Sequence, residues 1–203
     1  MSVTRVKPVI TALRTLPHAS TELCAALGAP PATTSLAFIT CDQDDSLYAA
    51  LDHATKMAAV DVVFAKSFYA GSKHASGPLS GEIMGVLASA DPDILMYGVR
   101  ALRSALDELY AFYSVDGTGV SVFPTVISQT GRYLSREVGI TAGEPLGYLV
   151  APPFEAMIGL DAAIKAAAVT VKRIDPPPSP TNFAGGFVTG TLDAVEAAAA
   201  AFR

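Results

Sequence analysis

Apolar runs rich in β-branched residues alternate with alanine-rich segments along the whole chain. The first pattern is typical of strands, and alanine that recurs on one face indicates a helix. In the first half these patterns predict strands at 9–16, 35–41, 60–68 and 82–88, and helices at 20–27, 46–60 and 91–110. In the second half they predict strands at 125–129, 146–151, 169–174 and 186–189, and helices at 132–138, 155–169 and from 191 onward.

Capping signals support several of these helix ends. Ser20, Asp91 and Thr191 are predicted N-caps, and a proline follows Asp91 at the first helical position. Gly28 and Gly139 are predicted to end the two short helices. Each half thus has the order βα-βα-ββ-α, which predicts an α/β sandwich (an α+β sandwich) with helices against a small mixed sheet.

The two halves are copies of one another. Residues 51–62 and 160–171 are identical at eight of twelve positions with a spacing of 109, and residues 35–41 share the apolar pattern of 145–151. This period is too long for a solenoid repeat and corresponds to one small domain. Two domains are therefore predicted, at 1–113 and 114–203, with a linker at 114–123.

Composition and charge exclude several classes of protein. The chain is 51% hydrophobic, has no Trp and carries a net charge of -5. A nucleic-acid-binding surface needs clustered Lys and Arg, which this charge argues against. No apolar run reaches the roughly 18 residues of a membrane-spanning helix. The apolar stretch 9–13 is too short for a secretion signal, so the cytosol is the expected location.

The sequence contains no catalytic or metal-binding motif. It lacks G-x-S-x-G, Walker A and H-E-x-x-H patterns, and His18, His53 and His74 are isolated from one another. Cys24 and Cys41 lack C-x-x-C spacing and are predicted to be reduced, buried thiols. We therefore expect no catalytic residue, no metal and no cofactor.

An acidic cluster of Asp42, Asp44 and Asp45 precedes the predicted helix 46–60. It is not an EF-hand loop, because the sixth position is leucine and the twelfth is histidine. One interpretation is helix capping and a favourable interaction with the helix dipole. The other is a pseudo-symmetric acidic site, since Asp45 falls on Glu155 in the aligned repeat.

Two lysines are repeated as well. Lys56 follows Asp52 by four residues, and Lys165 follows Asp161 at the same spacing. An exposed ion pair on a helix surface, worth about 0.3–0.5 kcal/mol, is the simplest explanation of each.

Several segments resemble bacterial microcompartment shell proteins. The pattern D-x-x-x-K-x-A-x-V occupies 52–60, and the resemblance extends through 67–74, 148–169 and 176–190. In its tandem form the chain is similar to the L-type shell proteins of ethanolamine utilisation. This resemblance implies two circularly permuted shell domains in one subunit and a pseudohexameric trimer that tiles the shell facets.

The resemblance also implies site residues. Loops around a gated central pore would contain Tyr69, Ala70, Gly71, Ser72, Lys73, His74, Pro177, Pro178, Ser179 and Asn182. A small acidic channel, suited to a small cation such as an amino alcohol, would be lined by Asp44, Asp45, Phe112, Glu155 and Thr181. Lys56 and Lys165 would lie at the tile edges. Neither pore loop contains Cys, so no iron–sulfur cluster is expected there.

The predicted function is a structural, non-enzymatic shell protein of a microcompartment in the cytoplasm. Its expected partners are two further copies, other shell proteins edge to edge and small metabolites in the pores, with no nucleic acid and no membrane. The alternative is a soluble oligomeric α/β module that binds or senses a small metabolite. Only the shell protein should form flat sheets.

Overall fold

A computed structural model describes residues 3–67, 83–115, 117–177 and 183–203. In chain order the elements are β1 (Val3–Val6), β2 (Ile10–Leu16), α1 (Thr21–Ala26), β3 (Ser35–Cys41), α2 (Asp44–Met57), β4 (Asp61–Ser67), β5 (Ile83–Ser89), α3 (Pro92–Glu108), β6 (Phe112–Val115), β7 (Val120–Ile127), α4 (Arg132–Val138), β8 (Leu146–Ala151), α5 (Pro153–Ala166), β9 (Thr170–Asp175), β10 (Ala184–Thr189) and α6 (Leu192–Phe202).

The chain forms two compact units, each with its own sheet. The four-stranded unit comprises Pro8–Tyr110 and Gly131–Tyr133. The six-stranded unit comprises Met1–Lys7, Ala111–Thr130 and Leu134–Arg203. The domain limits 1–113 and 114–203 stay a prediction, and each unit takes a short segment from the other side of that division.

The sheet of the four-stranded unit has the order β2-β3-β5-β4. Helices α2 and α3 pack against each other and against this sheet. Gly85 of β5 lies beneath Leu51 of α2, whereas the next residue, Val86, packs with Cys24 of α1. Because successive strand residues point to opposite faces, α1 and α2 cover opposite faces of the sheet.

The sheet of the six-stranded unit has the order β1-β6-β7-β8-β10-β9. Its last four strands repeat the order of the four-stranded sheet, and β6 and β1 extend the β7 edge. Helices α5 and α6 pack against each other. Gly159 permits this approach, because a Cβ at that position would lie 2.9 Å from the Phe202 ring.

The predicted fold class is confirmed, since the order βα-βα-ββ-α occurs in both copies. The limits of β3, α4 and β8 are those predicted from the sequence. Ser20, Asp91 and Thr191 each cap a helix through their side chains. Gly28 and Gly139 have left-handed φ values of 68° and 67°, as expected after a helix.

Two predictions about the sheets are wrong. The sheets are not mixed, because every strand pair in the described residues is antiparallel. The stretch 114–123 is not a linker, because it contains the end of β6, a turn and the start of β7, which pair as a hairpin. Gly117 and Gly119 supply the positive φ values of that turn. The short strand β1, not predicted, pairs with β6.

Candidate functional site

The acidic start of α2 is buried. Asp44 and Asp45 are each only 7% exposed and occupy the first turn of the helix. The Asp44 carboxylate accepts hydrogen bonds from the Ser67 hydroxyl at 2.8 Å and from the Asp45 backbone N–H at 2.9 Å. Burial raises the pKa of Asp44, and these hydrogen bonds oppose the rise only in part. The carboxyl group is thus held in a polar pocket and not on the helix surface.

Tyr48 extends this polar cluster to the end of β4. Its phenolic oxygen accepts the Ser67 backbone N–H at 2.9 Å and lies 3.0 Å from the Ser67 hydroxyl. Burial raises the pKa of Tyr48, hydrogen bonds from Ser67 lower it, and the charges of Asp44 and Asp45 raise it further. Ser67 is the last residue of β4, so the acidic cluster is bonded to the strand that enters the first predicted pore loop.

Helix capping explains only one contact of these aspartates, the bond from the Asp45 backbone N–H to the Asp44 carboxylate. The N-cap residue of α2 is Gln43, whose side chain makes no capping hydrogen bond. Asp42 instead accepts the Val9 backbone N–H at 2.7 Å. Asp44 and Asp45 lie where the helix dipole favours a negative charge. A carboxylate can cap a helix or interact with its dipole while it is exposed to solvent, so these roles do not account for the burial of Asp44 and Asp45.

The predicted equivalence of Asp45 and Glu155 is wrong. Asp45 is the second residue of α2, whereas Glu155 is the third residue of α5. The reason is the connection before each helix, which has two residues between β3 and α2 but one between β8 and α5. Glu155 is exposed and occupies the place of Ser46, and Phe154 occupies the place of Asp45.

Two of the other predicted channel residues belong to the six-stranded unit. Phe112 begins β6 in the six-stranded unit, where its ring centroid lies 5.1 Å from that of Phe123 and 5.6 Å from that of Phe183. Glu155 is in the same unit, and Asp44 and Asp45 are in the four-stranded unit. Thr181 lies outside the described residues.

Most of the predicted pore-loop residues also lie outside the described part of the chain. Of these residues the structure describes Pro177, two residues after β9. The remainder are Tyr69, Ala70, Gly71, Ser72, Lys73, His74, Pro178, Ser179 and Asn182.

The repeated lysines both lie in the last turn of their helices, but their aspartates differ. Lys165 pairs with Asp161 at 2.5 Å on an exposed surface, as predicted. The predicted exposed ion pair of Asp52 with Lys56 in the first copy is wrong, because Asp52 is only 1% exposed. The carboxylate of Asp52 accepts the Gly131 backbone N–H at 2.6 Å.

The contact of Gly131–Tyr133 with α2 was not predicted. Next to the Asp52–Gly131 bond, the Arg132 backbone N–H donates to the Thr55 hydroxyl at 2.9 Å. The Arg132 guanidinium donates to the carbonyl groups of Thr55 and, at 2.7 Å, of Val60. A Cβ at position 131 would lie 2.2 Å from the Asp52 carbonyl oxygen, so only glycine fits. The partners are 79 residues apart, and no local pattern connects them.

The cysteines behave as predicted. Cys24 and Cys41 are free and buried, and burial raises the pKa of the Cys41 thiol to about 12. A thiol with such a pKa stays protonated and unreactive. Within the described residues no cluster of three His, Cys, Asp or Glu side chains could hold a metal ion. None of the helices in that part of the chain has the length and hydropathy to cross a membrane.

Known proteins resemble this chain in both sequence and fold. No protein-family model matches the chain. The bacterial microcompartment shell protein EutL of Clostridium perfringens is 43% identical over 97% of this chain and 91% of that protein. EutL of Escherichia coli is 40% identical over 97% of this chain and 90% of that protein. The crystal structure of the ethanolamine utilization protein EutL from Leptotrichia buccalis has a TM-score of 0.94 and 42% identity, covering 100% of this chain and 94% of that chain. With this identity over nearly the whole of both chains, the chain belongs to the EutL family of bacterial microcompartment shell proteins.

Proposed function

We propose that three copies of this chain form a pseudohexameric tile, which joins other shell proteins edge to edge in the shell of a microcompartment in the cytoplasm. The observation that carries this proposal is the repeated unit: the strand order β2-β3-β5-β4 recurs as β7-β8-β10-β9. Three chains therefore supply six similar units, enough for a closed ring of sixfold outline. Family membership favours this structural role over a soluble metabolite-binding module and over an enzyme.

Sedimentation and electron microscopy test the tile. We expect a trimer at micromolar concentration and flat two-dimensional sheets when the protein is concentrated at low salt. A discrete oligomer that never forms sheets would favour the soluble module. A monomer at all concentrations would contradict the trimer itself.

The central pore is proposed from the position of two loops in the repeat. Residues 68–82 connect β4 to β5, and residues 176–183 connect β9 to β10, which are the corresponding neighbours in the two sheets. A ring of three chains would therefore bring six such loops to equivalent places. The variants Ser72→Trp and Ser179→Trp should slow the passage of a small solute through assembled tiles. Thr118→Trp, in the exposed β6–β7 turn, is the control.

The small acidic channel is proposed to bind a small cation that carries an ammonium group, such as an amino alcohol. Support comes from the buried carboxylates of Asp44 and Asp45, which can make charge-assisted hydrogen bonds to an ammonium group. Phe112, Glu155 and Thr181 complete the proposed lining. Binding should be weak, because a channel must release what it binds.

Calorimetry with ethanolamine as the probe tests this channel. Asp45→Asn combined with Glu155→Gln should abolish the binding heat. Asp193→Asn, which changes an exposed carboxylate in the first turn of α6, should leave it unchanged. Equal binding by the wild type and the double variant would contradict the channel and leave the trimer proposal intact.

A further inference from the structure

Helices α3 and α6 occupy the same place in the two copies of the repeat. Each follows the third strand of its copy and begins at a capping side chain, Asp91 for α3 and Thr191 for α6. From these caps onward, residues 95–103 and 195–203 have the same order of buried and exposed positions. The two helices therefore present equivalent faces to solvent, each within its own unit.

The chemistry of these equivalent faces differs. Met96 and Tyr97 of α3 are 37% and 50% exposed, and Arg100 on the same face is exposed as well. The corresponding positions of α6 have one acidic and two small residues, Glu196, Ala197 and Ala200. Packing against the sheet does not require the α3 side chains, because they lie on the outer face. A ring of equivalent units would not need them in one copy only.

Two guanidinium groups accompany the apolar side chains of α3. The guanidinium carbon of Arg100 lies 5.7 Å from the centroid of the Tyr97 ring, and Arg103 follows on the same exposed face. In the described part of the chain, neither guanidinium group is in an ion pair. The cation–π contact holds Tyr97 and Arg100 together, so a partner would meet a surface that is already formed.

The charge pattern along α3 selects the class of partner. Asp93 precedes the apolar and basic residues, and Asp107 and Glu108 follow them, in a chain of net charge -5. These carboxylates would repel an anionic membrane or a nucleic acid, which needs a broader basic surface. A peptide helix can instead place carboxylates opposite the two arginines and apolar side chains opposite Met96 and Tyr97.

We propose that the exposed face of α3, formed by Met96, Tyr97, Arg100 and Arg103, binds an acidic amphipathic helix of another protein. This contact goes beyond the proposed tile, because it needs neither the ring nor a pore. Helix α3 has 17 residues and is about 25 Å long, so a partner helix of about four turns would cover it. Its leucine-like side chains would recur every three or four residues, flanked by glutamate or aspartate. Each chain has one such site, since α6 lacks these residues.

A synthetic helix tests the site. The probe is the fluorescein-labelled peptide AALEELAKLLEELAA, titrated against the full chain by fluorescence anisotropy, and the control peptide has lysine in place of every glutamate. The wild type should bind one glutamate peptide per chain, at least about tenfold more tightly than the lysine peptide. Reversing the charges with Arg100→Glu and Arg103→Glu should reverse this preference. Failure of the wild type to bind, or equal affinity for both peptides, would overturn the proposal.

Giving α3 the residues of α6 tests which side chains bind the peptide. Tyr97→Ala with Arg100→Ala should weaken binding at least about tenfold, and the chain should stay folded because both side chains are exposed. Arg136→Ala, which removes an exposed arginine of α4, is the control and should keep the wild-type affinity. Equal binding by the double variant and the wild type would overturn the assignment to α3.

The reverse substitutions test whether these residues suffice. Glu196→Met, Ala197→Tyr and Ala200→Arg give α6 the exposed residues of α3, and Arg203 already stands in the place of Arg103. The number of peptides bound per chain should rise from one to two, and an unchanged number would overturn the proposal. Phosphatidylglycerol vesicles and double-stranded DNA should not displace the peptide. Displacement by either would assign this face to a membrane or a nucleic acid and overturn the protein partner.

Discussion

Helices α2 and α5 occupy the same place in the repeat and have the same length of 14 residues, yet their burial differs greatly. In α2 ten residues are buried, and in α5 only four. The aspartate of the shared D-x-x-x-K pattern is a hydrogen-bond acceptor inside the protein in α2 and a member of a surface ion pair in α5. Identical residues in a repeat therefore have the roles that their neighbours give them, and those neighbours come from distant parts of the chain.

The largest effect on stability is expected from a substitution of Gly131, the residue that donates a hydrogen bond to Asp52. Gly131→Ala should lower the free energy of unfolding by about 3 kcal/mol, because the added methyl group overlaps the Asp52 carbonyl oxygen. Ser20→Ala, at the corresponding position before α1, should cost about 1 kcal/mol through the loss of its helix cap. Urea unfolding of both variants measures the difference. Equal losses would mean that the two positions are equivalent after all.

The aspartates themselves give the next largest effect. Asp52→Ala leaves the buried Gly131 N–H without its acceptor and should cost about 2 kcal/mol. Asp161→Ala removes an exposed ion pair and should cost less than about 0.5 kcal/mol. The comparison is made by chemical unfolding at equal protein concentration. A larger loss in Asp161→Ala would contradict the assignment of the buried role to Asp52.

The acidic start of α2 predicts a pH-dependent contribution to stability. The pKa of Asp44 is raised above its ordinary value of 3.8, so the native state binds its proton more tightly than the unfolded state does. Its contribution to stability is fully present below pH 3.8 and decreases as the pH rises through the folded-state pKa. The free energy of unfolding of Asp44→Asn should therefore increase relative to that of the wild type as the pH rises from 3.8 through the folded-state pKa of Asp44. Unfolding curves at several pH values test this, with Asp193→Asn as the control.

The smallest effect on folding is expected from the lysines at the helix ends. Lys56→Ala with Lys165→Ala should change the free energy of unfolding by less than about 1 kcal/mol, because both side chains are exposed. If they lie at the tile edges, the trimer should persist while sheets no longer form in electron micrographs. A double variant that still forms sheets under the same conditions would remove the edge assignment.

Local signals in the sequence predicted local structure well. The side chains of Ser20, Asp91 and Thr191 determine where their helices begin, and each capping bond spans only two or three residues. The stretch 114–123 is a hairpin and not the predicted linker, because glycines with positive φ such as Gly117 and Gly119 serve a linker and a hairpin turn equally well. Both strands of the hairpin also pair outside this segment, β6 with β1 and β7 with β8, and the segment itself does not encode those partners.

The site was predicted less completely, for a related reason. The burial of Asp44 and Asp45 depends on partners such as Ser67, 23 residues away from Asp44. The mistaken match of Asp45 with Glu155 arose because one residue is missing before α5, and a one-residue shift rotates a side chain by about 100° around a helix. The only sequence feature related to the Asp52–Gly131 hydrogen bond is the glycine before α4, and a single glycine does not predict a bond to a residue 79 positions away.

The strand β1 has a consequence for how this chain can be divided. It is the first strand of the chain, but its partner β6 begins at Phe112, near the middle. Any single cut between them separates a strand from the edge of the sheet it completes and exposes unpaired backbone groups there. Two halves produced as separate polypeptides would leave this strand on the first half, and the six-stranded sheet of the second half would lack its edge strand. The duplicated chain is therefore more than two shell domains in series, because its first strand belongs to the sheet that the second half of the chain otherwise forms.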